Sequence, residues 1–354
     1  MAVILQVVGV IVGLGFLVFI HELGHFFAAK MCKVRILTFA FGFGPDLIKY
    51  TYRGTKYCIK SIFFGGFISM AGESPAKTTG ASGEYLSLKW YKKVWISLAG
   101  PLLNYILAVF IFAFVFNIWG TNQISDGFLI GSVTENYYMP YASLMLGDGD
   151  KVKSMEDGVK LSTWNNLSSN IKNKVYKQAV FAVKRGSFSF DLNMAIVKNP
   201  VMSIGTICVS PLILKMKPGF FKSIYFGVQT SITQTAMTVV YLVNKIISFE
   251  KPDISGPIGI MQVMANATKS GIYDYLRLLA IISIALGLFN LFPIPMVDGG
   301  MMVLFFIEGI IKRRISAKVV QVYNTIGLVF IFGIFLFATY SDLLRLGVSK
   351  LLKK

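Results

Sequence analysis

The chain has 354 residues, 55% of them hydrophobic and only 15% charged. With a mean hydropathy of +0.63 this excludes an ordinary soluble globular protein and points to a chain that crosses a membrane several times. Its formal net charge of +18 does not signal nucleic-acid binding, because the lysines are spread among loops beside apolar stretches, where anionic headgroups attract them.

Residues 1–27 read as a first membrane span. The apolar run from Ala2 to Ile20 is too long for the core of a secretory signal, and it lacks a basic leader and a small-residue cleavage site. It is expected to stay on the mature chain. It ends in His21-Glu22-Leu23-Gly24-His25, which holds the only two histidines of the chain. On a helix, imidazoles four residues apart lie one turn apart on one face and can grip a single divalent cation between them. Glu22 stands beside that cation, where a carboxylate can take a proton from a coordinated water and deliver hydroxide to a peptide carbonyl. This is the zincin pattern. The alternative, two histidines placed by accident and satisfied by backbone or water, fits poorly with membrane depth, where polar groups are costly and rarely kept without a role.

Residues 28–93 carry eleven Lys and Arg between Lys30 and Lys93 against Asp46, Glu73 and Glu84, which makes this stretch cytoplasmic by the positive-inside rule. The N-terminus is then outside, and a span of roughly 20 helical residues places the histidines near the cytosolic edge. Phe41-Gly42-Phe43-Gly44-Pro45, Tyr57 to Ile62 and Phe63 to Met70 mix aromatic and β-branched residues with glycines, which predicts short hairpin strands. Two readings stay open for them: a small surface hairpin, or one that dips into the membrane where protein covers its backbone. Residues 94–119 form a second span, returning outward. Near its start Gly100-Pro101-Leu102-Leu103-Asn104 combines small residues that let helices approach with an asparagine that needs a partner, for packing or for function.

Residues 120–202 have the character of a soluble domain. Strand-like Phe128 to Val133, the run Pro140 to Asp150 with its turn cluster from Gly147, Lys151 to Met155, and a helix opened by Trp164 follow in an order similar to a circularly permuted PDZ domain, a module that captures peptides by strand addition. The usual Gly-Leu-Gly-Phe carboxylate loop is not evident. Within 203–274, the stretch 220–249 carries Gln229, Thr230, Ser231, Thr233, Gln234 and Thr235, costly to bury in a spanning helix. It is expected to lie as an amphipathic helix on the outer face of the membrane. Ser255 to Ile260 reads as a turn.

A third span, 275–300, ends in Asn290-Leu-Phe-Pro293-Ile-Pro295-Met-Val-Asp298-Gly299-Gly300. Two prolines one residue apart cannot continue a helix, so extended backbone is expected there. Asp298 is then a third, oxygen ligand beside His21 and His25, with a position left open for water, the catalytic form of a zinc site. Otherwise it is a turn residue before two glycines. Two histidines and a carboxylate also suit non-haem iron, but the adjacent His-Glu pairing favours zinc. If the first and third spans both run inward, Asp298 emerges on the face of the histidines, which requires that 220–249 not cross. A basic cytoplasmic loop, 301–319, with Lys312, Arg313, Arg314 and Lys318, precedes a fourth span, 320–341. The tail, 342–354, is itself basic (Arg345, Lys350, Lys353, Lys354), which goes against an outward end. The cysteines, Cys32, Cys58 and Cys208, show no CxxC spacing, so neither a disulfide framework nor a metal cluster is expected of them.

These motifs together resemble the site-2 proteases, which are intramembrane zinc metalloproteases, and within them the bacterial RseP-like group. His21 to His25, Phe64-Gly65-Gly66-Phe67, Gly100 to Asn104, Ser255 to Ile260 and Asn290 to Gly299 match in type and order. The resemblance implies a polytopic α-helical membrane protein with about four transmembrane helices, a re-entrant β-hairpin and one extracytoplasmic PDZ-like domain. It implies Zn2+ on His21, His25 and Asp298, with Glu22 as general base. It also implies a substrate-binding set of Asn290, Pro293, Pro295, Gly65, Gly66, Phe67 and Asn104, in which Asn290 helps hold the substrate or the oxyanion and the glycine-rich hairpin pairs with an unwound substrate helix. The expected partners are the lipid bilayer of the bacterial inner membrane and single-pass membrane proteins already trimmed by another protease. Anti-sigma factors and remnant signal peptides are typical, cut within their span in regulated intramembrane proteolysis. One PDZ-like domain instead of two, and Met301 where relatives often carry a histidine, are the departures. A non-catalytic chaperone or adaptor that binds client helices in the same groove is the other reading, and the intact His21, Glu22, His25 and Asp298 discriminate against it. A metal transporter would need ionisable residues along several spans, and the other spans hold almost none.

Overall fold

The computed structural model describes residues 2–74, 78–124, 130–133, 150–155, 161, 164–198, 205–207, 209–211, 213–248 and 256–345. They form two compact units: Met1–Trp119 with Gly219–Lys354, and Gly120–Pro218. Among the described residues four helical segments are long and apolar enough to cross a membrane: Gln6–Met31, Trp90–Trp119, Ile272–Asn290 and Lys318–Arg345.

In the first unit, α1 (Ala2–Met31) is followed by β1 (Ile36–Tyr52) and β2 (Thr55–Met70). Arg53 and Gly54 join the strands with φ of 47° and 76°, the pair of positive values that a type I′ hairpin turn requires. Both strands bend, so that two strands make four runs. Run 66–70 pairs with 36–41, as Met70 with Ile36 and Gly66 with Phe41; 36–41 pairs in turn with 56–59, as Thr38 with Lys56 and Phe41 with Ile59; and 55–60 pairs with 46–52, as Tyr52 with Thr55 and Asp46 with Lys60. The outer pairings are antiparallel, whereas in the inner one the numbers rise on both sides. The second bend falls at Gly65, whose φ of 100° an L side chain would adopt only under strain. Run 66–70 is left as an edge.

The sheet lies along α1. Lys30 Nζ donates to Thr55 Oγ1 (3.2 Å), which donates to the Ile36 carbonyl (3.0 Å), while further up the helix Val18 packs on Gly65 and Gly15 lies against the Phe63 carbonyl. From Gly15 to Lys30 this is roughly 22 Å at 1.5 Å per residue. Asp46 ties the outer run to its neighbour through Lys56 (2.5 Å) and Lys60 (2.9 Å). Between α1 and the sheet is an apolar cavity of about 460 Å³, lined by Phe16, Phe19, Phe41 and Tyr50 among others, which contains none of the expected metal ligands.

α2 (Trp90–Trp119) packs on α1 where Gly24 meets Ala99 and Gly100, with no room for a side chain on either glycine. The second unit follows. β3 (Thr121–Ile124) pairs antiparallel with β11 (Ile213–Met216), β4 (Ile130–Val133) with β10 (Val209–Pro211), and β8 (Val197–Lys198) with β9 (Gly205–Thr206). β5 (Lys151–Met155), β6 (Gln178–Arg185) and β7 (Phe188–Ala195) form a three-stranded sheet in that order. Val152, Phe181, Val183 and Met194 from this sheet bury a core with Leu167 and Ile171 of α3 (Trp164–Ile171), and Arg185 clasps the buried Asp150 at 2.8 and 2.7 Å. The pairing of β3 with β11 carries the unit on to Pro218, past the expected end at residue 202. Phe128, the run 134–149 with Pro140 and Gly147, Cys208, Ser255, and the tail from 346 with Lys350, Lys353 and Lys354 lie outside the described residues.

The first unit resumes with α4 (Phe220–Ile247), α5 (Pro257–Ser270), α6 (Ile272–Asn290), α7 (Asp298–Ile311) and α8 (Ala317–Arg345). α4 is not among the four helices long and apolar enough to cross a membrane, and it runs beside α2. Gly227 lies against Val109 and Ala113 of α2, and Thr235 Oγ1 is 3.3 Å from Tyr105 Oη, which can donate to it, so α4 follows α2 to its midpoint. Ser223, Ser231, Thr235 and Thr238 return their hydroxyls to carbonyls four residues back, which satisfies Ser231 and Thr235 within the helix. The exposed side carries Phe221, Ile232, Met237 and Val240 beside Lys222, Gln229 and Thr233.

Two further helices stand where none was expected. Pro257 starts α5, a favoured first position, and Asp342 of α8 accepts from the Gly256 and Gly259 N–H groups at 3.0 and 2.8 Å, so the stretch read as a turn is a capped helix start. α7 replaces most of the expected basic loop and leaves 312–316 as the connection to α8. Buried Lys93 of α2 holds α7 in place through both Glu308 oxygens (2.6 and 2.7 Å).

Candidate metal centre

α1 presents His21 and His25 one turn apart, and the start of α7 brings Asp298 to them. His21 Nε2 is 3.0 Å from Asp298 Oδ2 and His25 Nε2 is 3.4 Å from Asp298 Oδ1; the two Nε2 atoms are 3.2 Å apart. Both histidines are buried. The non-helical link 291–297, with its two prolines, is what lets Asp298 turn back: side chains on Gly299 and Gly300 would overlap the Leu291 and Ile294 carbonyls. Met296 in this link has a φ of 77°, an uncommon value for a non-glycine residue and one that recurs at functional sites.

Each imidazole is oriented from behind. His25 Nδ1 donates to the Ile96 carbonyl at 2.7 Å, which leaves the Nε2 lone pair facing Asp298. A side chain on Gly100 would overlap that ring. Asn104, fully buried, places its carboxamide 3.1 Å from His21 Nδ1, and its Oδ1 has no partner among the described residues. Ligation through Nε2 puts the His21 proton on Nδ1, and turning Oδ1 toward that proton gives the orphaned oxygen its donor. Two imidazole lone pairs and a carboxylate then converge on one point, with ligand atoms within 4.8 Å of one another. Such a set repels itself unless a cation lies between its members. It fits a tetrahedral Zn2+ with one position open.

The ligands line a cavity of about 400 Å³ together with Glu22, Phe67, Ile68, Met70, Asn290 and several others. Glu22 Oε2 accepts from the Ile68 N–H (3.2 Å) and Glu73 Oε2 from the Met70 N–H (3.0 Å). Residues two apart in a strand point their N–H groups the same way, so both donors face out of the edge formed by 66–70. Burial raises the Glu73 carboxyl above its ordinary range, against the pull of the Met70 N–H.

Of the residues expected to meet substrate, Asn290 and Phe67 line this cavity, whereas Asn104 stands behind His21. Gly65, Gly66, Pro293 and Pro295 are not in the lining. Gly65 makes the bend, Gly66 lies against the Ala40 carbonyl, and Pro295 seats Gly327 of α8. Glu73, Tyr85, whose Oη meets Ser97 Oγ at 3.2 Å, and Asn324 also line the cavity without having been singled out. For Asn324 the signal was a carboxamide inside an apolar span; for Glu73 and Tyr85 the sequence held none.

The family model for peptidase family M50 matches residues 9–334. The chain belongs to peptidase family M50. This M50 chain is similar to proteins that bear the name "Putative zinc metalloprotease". One of Agrobacterium fabrum is 29% identical over 95% of each chain, and one of Campylobacter jejuni is 28% identical over 94% of this chain and 92% of its own. A third, of Clostridium acetobutylicum, is 29% identical over 95% and 97%. As an M50 peptidase the chain is a membrane zinc metalloprotease.

Proposed function

We propose that this M50 peptidase hydrolyses a peptide bond within or near the membrane span of single-pass membrane proteins. In this reading His21, His25 and Asp298 hold the zinc and Glu22 is the general base. The observation that carries it is one cavity, walled by helices apolar enough to cross a membrane, in which a metal-fitting triad and a carboxylate face an open sheet edge. Zinc, when bound, supplies a Lewis acid and lowers the pKa of a coordinated water toward about 7. Glu22 takes the proton of the attacking water and returns it to the leaving amine.

A helical substrate hides its scissile carbonyl behind its own hydrogen bonds. The edge 66–70 offers replacements for those bonds to an extended chain. A strand added there takes over the Ile68 and Met70 N–H groups from the carboxylates of Glu22 and Glu73, which couples arrival of the peptide to release of the base. Asn290 contacts the substrate from the end of α6. The hairpin re-enters the bilayer beside α1, and the protein lies in the bacterial inner membrane with its N-terminus outside and its zinc near the cytosolic side. The unit 120–218 is then extracytoplasmic and screens clients as a PDZ-like gate. The clients are proteins already shortened by another protease, such as anti-sigma factors or remnant signal peptides.

Glutamine at position 22 keeps the shape but cannot act as base. Cells with only Glu22→Gln should accumulate a truncated membrane protein, and the variant purified with zinc should retain that client uncut. Normal processing in those cells would refute the proposal.

A further inference from the structure

We propose that Asn324 of α8 binds the substrate main chain in the cavity that holds the metal ligands and the sheet edge. The inference rests on the extended-substrate reading above. A strand exposes N–H and C=O groups in alternation along both edges, so a peptide paired with Ile68 and Met70 still presents a second row of polar groups on its other edge. Asn324 lines that cavity with the metal ligands and the sheet edge. Its Oδ1 is buried and has no hydrogen-bond partner among the described residues. Buried polar atoms are almost always paired, and here an unpaired acceptor belongs to a side chain that lines the space a substrate would occupy, where a turn of the carboxamide brings it to a peptide N–H.

The helix that carries it is fixed at that register. Tyr323 Oη donates to the Gly300 carbonyl at 2.9 Å, two residues from Asp298, and Gly327 is packed on Pro295 without room for a side chain. Val320, Asn324 and Gly327 share one helix face by their spacing. A carboxamide can accept from a peptide N–H through Oδ1 and donate to a peptide carbonyl through Nδ2. It recognises main chain and not side chain, which suits an enzyme whose clients share a backbone and little else.

The test uses the zinc-loaded full chain in vesicles and a cleavable single-span peptide, in a series where one amide at a time near the scissile bond is replaced by an ester, deleting one N–H. Asn324→Leu should keep full zinc content, raise KM about tenfold and change kcat by less than about threefold. One ester position should cost the wild-type protein a similar factor and cost Asn324→Leu nothing further. Asn324→Ala serves the same comparison if Asn324→Leu does not accumulate. An unchanged KM, or ester losses that multiply with the substitution at every position, would overturn the assignment while leaving proteolysis standing. A zinc-loaded wild-type protein that cuts none of the peptides would refute the proteolytic reading and this inference with it.

Discussion

The two walls of the cavity around His21, His25 and Asp298 are finished to different degrees. On the wall made by α1, α2 and α7 the ring nitrogens behind the ligand atoms have protein partners: His25 Nδ1 has the Ile96 carbonyl and His21 Nδ1 has the Asn104 carboxamide, while the Asn104 main-chain carbonyl accepts from Ser283 at 2.8 Å and Asn104 Oδ1 is paired once it is turned to His21. On the wall made by run 66–70 and α8 the partners are loose ends. Two edge N–H groups rest on carboxylates, and Asn324 Oδ1 has none among the described residues. The first wall is built in advance to hold a small ion of fixed geometry. The second is left to be completed by a peptide. Metal binding and substrate binding should therefore fail separately.

The largest effect should come from the finished wall. Asp298→Ala leaves two imidazoles with too little charge for the ion, so zinc should fall from one per chain to almost none, with activity, while the helices stay assembled because Lys93–Glu308 ties α7 to α2. Full zinc occupancy in folded Asp298→Ala would remove Asp298 from the set. Asn104→Leu should weaken zinc by about 10- to 100-fold, the usual cost of losing an outer-shell partner, and Asn104→Asp should restore most of it; competition with a chelator reads both. Equal affinity in all three proteins would mean that His21 is not oriented by Asn104.

Changes to the open wall should be milder and leave the metal in place. Ile68→Pro removes one edge N–H and should slow cleavage roughly fivefold, the worth of one hydrogen bond, with zinc unchanged; wild-type rates would argue against strand pairing. Smallest of all is an acid effect at the far end of the sheet. Hydrogen bonds from Lys56 and Lys60 hold the Asp46 carboxyl down to about 2, below its ordinary value of about 3.9. The contribution is complete above about pH 4 and fades as pH falls toward 2. Hydrogen exchange at 46–60 should rise across that window in the wild-type protein and stay flat in Asp46→Asn, and parallel curves would dismiss the pair as a clasp.

The finished wall was also the legible one. Histidines four apart, a glutamate between them and an aspartate after a helix break are a metal site's chemistry written at fixed spacing, and the structure brings them together. The open wall was mostly not legible. Which N–H groups face outward depends on a register that folds two strands into four runs, and only Gly42, Gly44, Gly65 and Gly66 hinted at the bends. The polar residues of α4 are a weak signal of where the helix lies, because hydroxyls such as those of Ser231 and Thr235, unlike charges, can bond to their own helix. α5 and α7 were missed because the one starts on a glycine-proline pair that reads as a turn and the other is an apolar stretch running into basic residues, and what makes each a helix is a tertiary partner, Asp342 and Lys93 respectively.

The central claim is that zinc held by the first wall cuts a chain laid along the second. The direct measurement is mass spectrometry of both fragments from a single-span substrate cut by the reconstituted protein in 18O-labelled water. The account predicts a cut inside the span, one 18O in the new carboxylate, and no fragments from Glu22→Gln loaded with zinc. Fragments ending only in the soluble part of the substrate, or the same fragments from Glu22→Gln, would contradict it.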